Sequence, residues 1–103
     1  MKTKSIVSES QYCLFCGNFA TQEHHLLFGS NRQKAELYGI KVPICANCHT
    51  TGMVVGRIHD NPMAEMLSKM LGQAIYEKEQ ALNGADREQC RQNFRSEFGI
   101  SYL

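Results

Sequence analysis

The chain has 103 residues, 43% of them hydrophobic and 20% charged, with 11 Lys+Arg against 10 Asp+Glu and a formal net charge of +1. That length accommodates one small domain, and the composition excludes a disordered or low-complexity chain. The near-balanced charge neither demands nor excludes nucleic acid, and any contact with phosphates has to use a local basic patch rather than a global excess. No apolar run approaches the roughly 20 residues that span a bilayer, so no membrane association is expected. The start MKTKSIVSES has no apolar segment or small-residue cleavage site of the export type. A cytoplasmic, reducing location is therefore expected, where closely spaced cysteines serve as metal ligands more readily than as disulfides.

The first element is a knuckle, Cys13-Leu14-Phe15-Cys16, turned by Gly17-Asn18. Residues 19 to 28 then read as a strand, and Gly29-Ser30-Asn31 as a glycine-marked turn. Arg32 to Tyr38 fits one helical turn or a loop, and after Gly39 the run 40 to 44 reads as a second strand. A second knuckle follows, Cys45-Ala46-Asn47-Cys48, directly succeeded by His49. From Pro62 the positions Met63, Met66, Leu67, Met70, Leu71, Ala74 and Ile75 recur with helical spacing. They predict an amphipathic helix capped by Asn61, ended at Asn83-Gly84, and burying its methionine face as core. The same face is a candidate dimer surface. A last helix is predicted from about Ala85 to Phe98, with Cys90, Phe94 and Phe98 on its buried face and Gly99 as its stop. Arg87, Arg91 and Arg95 form a stripe on it that reads as a solvated face.

Charge and chemistry are unevenly placed. Residues 1 to 60 carry six Lys+Arg and four Asp+Glu, all four histidines and four of the five cysteines. Two CxxC knuckles supply four thiolates, enough to close a tetrahedral Zn²⁺ site with no open position, which is the mark of a structural zinc. Cys13, Cys16, Cys45 and Cys48 are its expected ligands. Such a staple ties the start of the first strand to the turn after the second and supplies stability that a small core lacks. Cys45 to His49 also matches a CxxCH haem-attachment pattern, but that would leave the first knuckle without a role. A thioredoxin-type dithiol lacks its βαβ surroundings. A mixed site, in which zinc takes Cys45, Cys48 and one or two histidines while the first knuckle frays, stays open at this level. With four thiolates on zinc, His24, His25, His49 and His59 are left over for a second site. In an extended strand His24 and His25 point to opposite faces, so one ligates a metal easily while its neighbour needs a bend to share the site.

The stretches CLFCGN, EHHLLFG and VPICANCH, followed by one more histidine before a helix, resemble the HNH endonuclease family, in particular its small phage-borne members. The resemblance covers residues 13 to 59. It implies an α+β fold in one domain, 1 to 103: a ββα-metal core with the knuckle pair over 13 to 59, and a helical extension over 61 to 98. It implies metal-dependent hydrolysis of DNA phosphodiesters, in a bacterial host cytoplasm if the gene is phage-borne. His24 then stands at the first metal-ligand position, His25 at the general base, His49 at the metal-binding helix histidine, and His59 at an additional ligand position. The implied catalytic ion is Mg²⁺, Mn²⁺, Ni²⁺ or Zn²⁺. Arg32, Lys34, Lys41 and Arg57 are the candidate phosphate contacts, Arg32 foremost. The chain departs from the family pattern where Gly39-Ile40-Lys41 replaces the central Asn, so a backbone carbonyl or Asn31 is expected to hold the other nitrogen of His25. The alternative function is a non-catalytic zinc module that binds nucleic acid or protein.

Overall fold

A computed structural model describes residues 3–53 and 57–103. Residues 54–56, within the expected metal-binding core, lie outside the described residues. The described chain is α+β. Two short strands, β1 (Gln22–His25) and β2 (Lys41–Ile44), pair antiparallel with Gln22 opposite Ile44 and His25 opposite Lys41. Three α-helices, α1 (Arg32–Tyr38), α2 (Pro62–Leu82) and α3 (Arg87–Phe98), complete the frame. No helix among the described residues is long and apolar enough to cross a membrane.

The first strand is shorter than the run 19 to 28, because only Gln22–His25 finds a partner in β2. Ala20 instead bonds back to Gln11, and Tyr12 bridges Phe19, closing the first knuckle into its own small hairpin. Arg32–Tyr38 is a seven-residue helix rather than a single turn. Gly39 ends it at φ +71°, and a Cβ there would collide with the Lys4 carbonyl oxygen. Glycine meets both demands at once.

Helix α2 begins and ends as its sequence implies, and α3 ends as its sequence implies but begins two residues late. Asn61 accepts from the amides of Met63 and Ala64 at the start of α2, and Pro62 takes the first helical position. Asp86 accepts from the Gln89 amide at 2.8 Å to cap α3, which starts at Arg87 rather than Ala85, and Gly99 ends it at φ +85°. Cys90, Phe94 and Phe98 are buried as expected. Phe94 and Phe98 stack at 4.6 Å, and Tyr76 meets both edge-on, joining α3 to α2 over a core of Leu26, Leu27, Ala35, Ile40 and Val42.

The methionine face is not the core. Met63, Met66, Leu67, Leu71 and Ala74 are exposed, with Met63 at 70%, and Met70 and Ile75 are only half-buried. The buried face of α2 is Ser68, Gly72, Gln73 and Tyr76. The reason is close approach: a Cβ on Gly72 would sit 2.9 Å from Leu27 Cγ and 3.1 Å from Leu26 Cβ. Large side chains do not fit there. The polar groups on this face are satisfied instead, with Ser68 donating to the Leu26 carbonyl and Gln73 accepting from the Tyr102 amide and donating to Ser101.

Candidate metal centres and the adjoining cleft

The Sγ atoms of Cys13, Cys16, Cys45 and Cys48 all lie within 4.8 Å of one another, and those of Cys16 and Cys45 are 3.5 Å apart. Each knuckle is a tight turn. Gly17 bonds back to the Cys13 carbonyl, His49 bonds back to that of Cys45, and the Leu14 amide reaches the Pro43 carbonyl at 3.1 Å to hold the first knuckle against β2. Burial opposes ionisation of Cys13, but the amides of Cys45, Cys16 and Phe15, with the Cys16 thiol, outweigh it and hold its pKa down at about 6. Burial and the crowding sulfurs of Cys45, Cys16 and Cys13 push the Cys48 thiol up. Four sulfurs so close resist becoming four thiolates by themselves. A divalent cation resolves that conflict, and the donor set and spacing are those of a structural metal such as zinc. The first knuckle does not fray, and the histidines form a separate group.

That second group is His24, His49 and His59, one ring nitrogen of each lying within 4.8 Å of the others. The three come from different segments: His24 from β1, His49 from a single π-helical turn (Asn47–Thr51), and His59 from a 3₁₀ turn (Ile58–Asp60) leading into α2. The expected α-helix around His49 is thus one π turn, and the next α-helix starts at Pro62. Ring centroids stand 4.7 to 5.3 Å apart, with Phe28 closing the side next to His59 at 4.8 Å.

Each ring is held from behind. His49 Nδ1 donates to Gln22 Oε1 at 2.8 Å, and His59 Nδ1 donates to Glu65 Oε2 at 3.4 Å. Both leave Nε2 as the basic atom, and the two Nε2 atoms face each other at 3.0 Å. Two lone pairs at that distance repel, and a cation turns the repulsion into coordination, with bonds of about 2.0–2.1 Å to imidazole nitrogen. His24 is fully buried, and its Nδ1 has no hydrogen-bond partner among the described residues. Burial, then the neighbouring His59, His49 and His25, lower its pKa to about 3, and burial, His59 and His25 lower that of His49. Neutral rings with free lone pairs are what a metal requires. The three histidines therefore fit a divalent cation.

His25 does not join them. Its Nε2 lies 2.8 Å from Glu36 Oε1, on α1. Neither Asn31 nor a backbone carbonyl takes this role: Asn31 donates to the Phe98 carbonyl at 3.2 Å. Lys41 is withdrawn from the expected phosphate contacts as well. It is buried, 2.8 Å from Glu36 Oε2 and 3.2 Å from Glu23, because a buried ammonium has to be matched by carboxylates. Lys41 and then His25 hold the Glu36 carboxyl at a pKa of about 2. Arg57 is engaged with Asp60 at 3.0 Å and with the Thr50 carbonyl. Lys34 is exposed and bonds to the Glu97 carbonyl on α3.

Arg32 is exposed on the rim of a cleft of about 500 Å³ that is also lined by His25, Glu36, His49, Gln22, Glu23 and Thr50. That cleft brings the His25–Glu36 pair beside a member of the histidine cluster. Sequence reasoning missed Gln22, Glu36, Glu65 and Ser68. Only Gln22 carried a local signal, since it stands two residues before His24 on one strand. Along α3, Arg91 pairs with Glu77 at 2.8 Å while Arg87 and Arg95 are exposed, in keeping with a solvated face. Comparison with protein-family models, with curated proteins and with solved structures finds no match to this chain.

Proposed function

We propose that the protein is an HNH-type, metal-dependent endonuclease that hydrolyses DNA phosphodiesters. The observation that carries this reading is the cleft in which His25, backed by Glu36, adjoins His49 of the three-histidine cluster and Arg32. Glu36 accepts the Nε2 proton of His25, which makes Nδ1 the basic atom of that ring. There it takes a proton from water. The oxygen attacks phosphorus, a P–O ester bond breaks, and the departing oxygen acquires a proton from solvent. Arg32 sits where a guanidinium can hold a phosphate during the attack. A divalent ion bound by His24, His49 and His59 would supply a Lewis acid for the charge that builds on the phosphate oxygens. Glu36 takes the place of the family's Asn in fixing the imidazole, so the departure at 39 to 41 is compatible with activity.

The test is cleavage of supercoiled plasmid and single-stranded DNA with Mg²⁺, Mn²⁺ or Ni²⁺, comparing wild type with folded, zinc-replete His25→Ala. Metal-dependent cleavage that the variant loses is expected. A zinc-replete wild type that cleaves nothing with any metal would overturn the reading in favour of an accessory binding module.

A further inference from the structure

The proposed function gives α2 no part in the chemistry, yet two of its residues touch the histidine cluster, Glu65 at His59 and Ser68 at His24. Ser68, buried on the face that packs against Leu26 and Leu27, has its Oγ 2.8 Å from His24 Nε2 and 2.8 Å from the Leu26 carbonyl oxygen. A serine hydroxyl has one proton, and a carbonyl oxygen only accepts. Ser68 therefore gives its proton to Leu26, and its lone pair must accept from His24. The proton of neutral His24 is thereby assigned to Nε2. The other nitrogen, Nδ1, is the one that is buried without a partner among the described residues.

We propose that Ser68 is a positioning residue that sets the tautomer of His24 and makes Nδ1 its metal-binding atom, in contrast to His49 and His59, which bind through Nε2. The proposal rests on the reading of these three histidines as a metal centre. Its physical basis is a relay anchored in the backbone: the Leu26 carbonyl fixes the hydroxyl, the hydroxyl fixes the ring, and the ring presents one lone pair. Gly72, one turn further along α2, allows the approach that brings Ser68 within reach. Without the hydroxyl, Nε2 would be a buried donor lacking its acceptor, and the ring would gain from exchanging its proton between nitrogens.

Two measurements on zinc-replete protein test this. Nitrogen NMR of ¹⁵N-histidine-labelled protein, before any second metal is added, reads the tautomer directly. Wild-type His24 is expected to be protonated at Nε2 and Ser68→Ala to show both tautomers; a wild-type ring protonated at Nδ1 would overturn the proposal. Calorimetric titration with Ni²⁺ then reads the histidine site. Ser68→Ala is expected to bind about 10–100-fold more weakly, with Ser68→Thr, which keeps the hydroxyl, returning toward wild type. Gln73→Ala, which removes buried hydrogen bonds on the same helix without touching His24, is the control for general loosening and should bind Ni²⁺ as wild type does. Equal affinity in Ser68→Ala and wild type, or an equal loss in Gln73→Ala, overturns the assignment. A wild type with the Nε2–H tautomer and Ser68-dependent Ni²⁺ binding that nevertheless cleaves no DNA overturns the nuclease reading and supports the assignment of Ser68.

Discussion

The two clusters of metal-ligating side chains differ in how they are assembled. The cysteine cluster is local: each knuckle is a tight turn that presets two sulfurs, and the docking of one turn against β2 completes the set. Its immediate surroundings are apolar, with Ile44 and Ile58 packed beside Cys13 and Cys45. The histidine cluster draws one residue from each of three segments, and every ring leans on a polar partner: Ser68, Gln22 or Glu65. Four like donors with an apolar backing make a closed site that stabilises the fold. Three donors with hydrogen-bonded backing, next to a cleft, leave coordination positions unfilled by the protein, which is what the proposed function asks of this site.

This contrast can be broken most directly at the cysteines. Cys45→Ser should unfold the segment around both knuckles, since a structural zinc contributes on the order of 10 kcal/mol to folding. Loss of amide dispersion over residues 13 to 59 is the readout, and a folded, zinc-free variant would remove the distinction. At the cleft the expected loss is functional. His25→Ala should reduce cleavage by about 100- to 10,000-fold while zinc content stays that of wild type.

Smaller effects sharpen the comparison. Gly72→Ala should cost about 1–3 kcal/mol in urea unfolding, because its Cβ would press on Leu26 and Leu27. By pushing α2 away it should also weaken Ni²⁺ binding at the histidines and leave the cysteine-bound zinc unchanged. Met63→Gln, on the exposed face of the same helix, should stay within about 0.5 kcal/mol of wild type.

The last effect concerns pH. The carboxyl of Glu36, held at about 2 in the folded protein by Lys41 and His25, binds fewer protons there than when unfolded. Its contribution to stability is therefore complete above the ordinary carboxylate range and is lost as pH falls toward about 2. Glu36→Gln removes this titration, so the stability difference between wild type and variant should shrink steadily below about pH 4. Urea midpoints taken between pH 6 and pH 3 measure it; a difference that does not change with pH would show that Glu36 is not held in this ion pair.

Much of the architecture was legible in the residues themselves. Caps at Asn61 and Gly99, the left-handed turn at Gly39 and the buried Cys90-Phe94-Phe98 face are short-range features, dictated by backbone geometry and helical periodicity. The identity of the four sulfur ligands is of the same kind, because a CxxC turn places both thiolates before any tertiary contact forms. The face of α2 was not legible. Periodicity favoured Met63 to Ile75, but the contact with Leu26 and Leu27 admits only a small residue at 72, and that rotates the helix so that its methionines point outward.

The same limit applies at the histidine site. Four histidines in one half of the chain announce an ionisable cluster; their spacing by itself does not separate the three that converge from the one that pairs with Glu36, and only the family resemblance set His25 apart from His24, His49 and His59. That separation follows from the pleat of β1, which sends His24 and His25 to opposite faces, and from what the fold places on each. One face meets Ser68 and the other meets Glu36 and Lys41, partners between 11 and 44 residues away for the two histidines. Residue type and short spacing by themselves determined which side chains can bind metal. Only the tertiary structure decided which nitrogen of each ring is available, because a ring's proton goes to whichever distant acceptor the fold sets behind it.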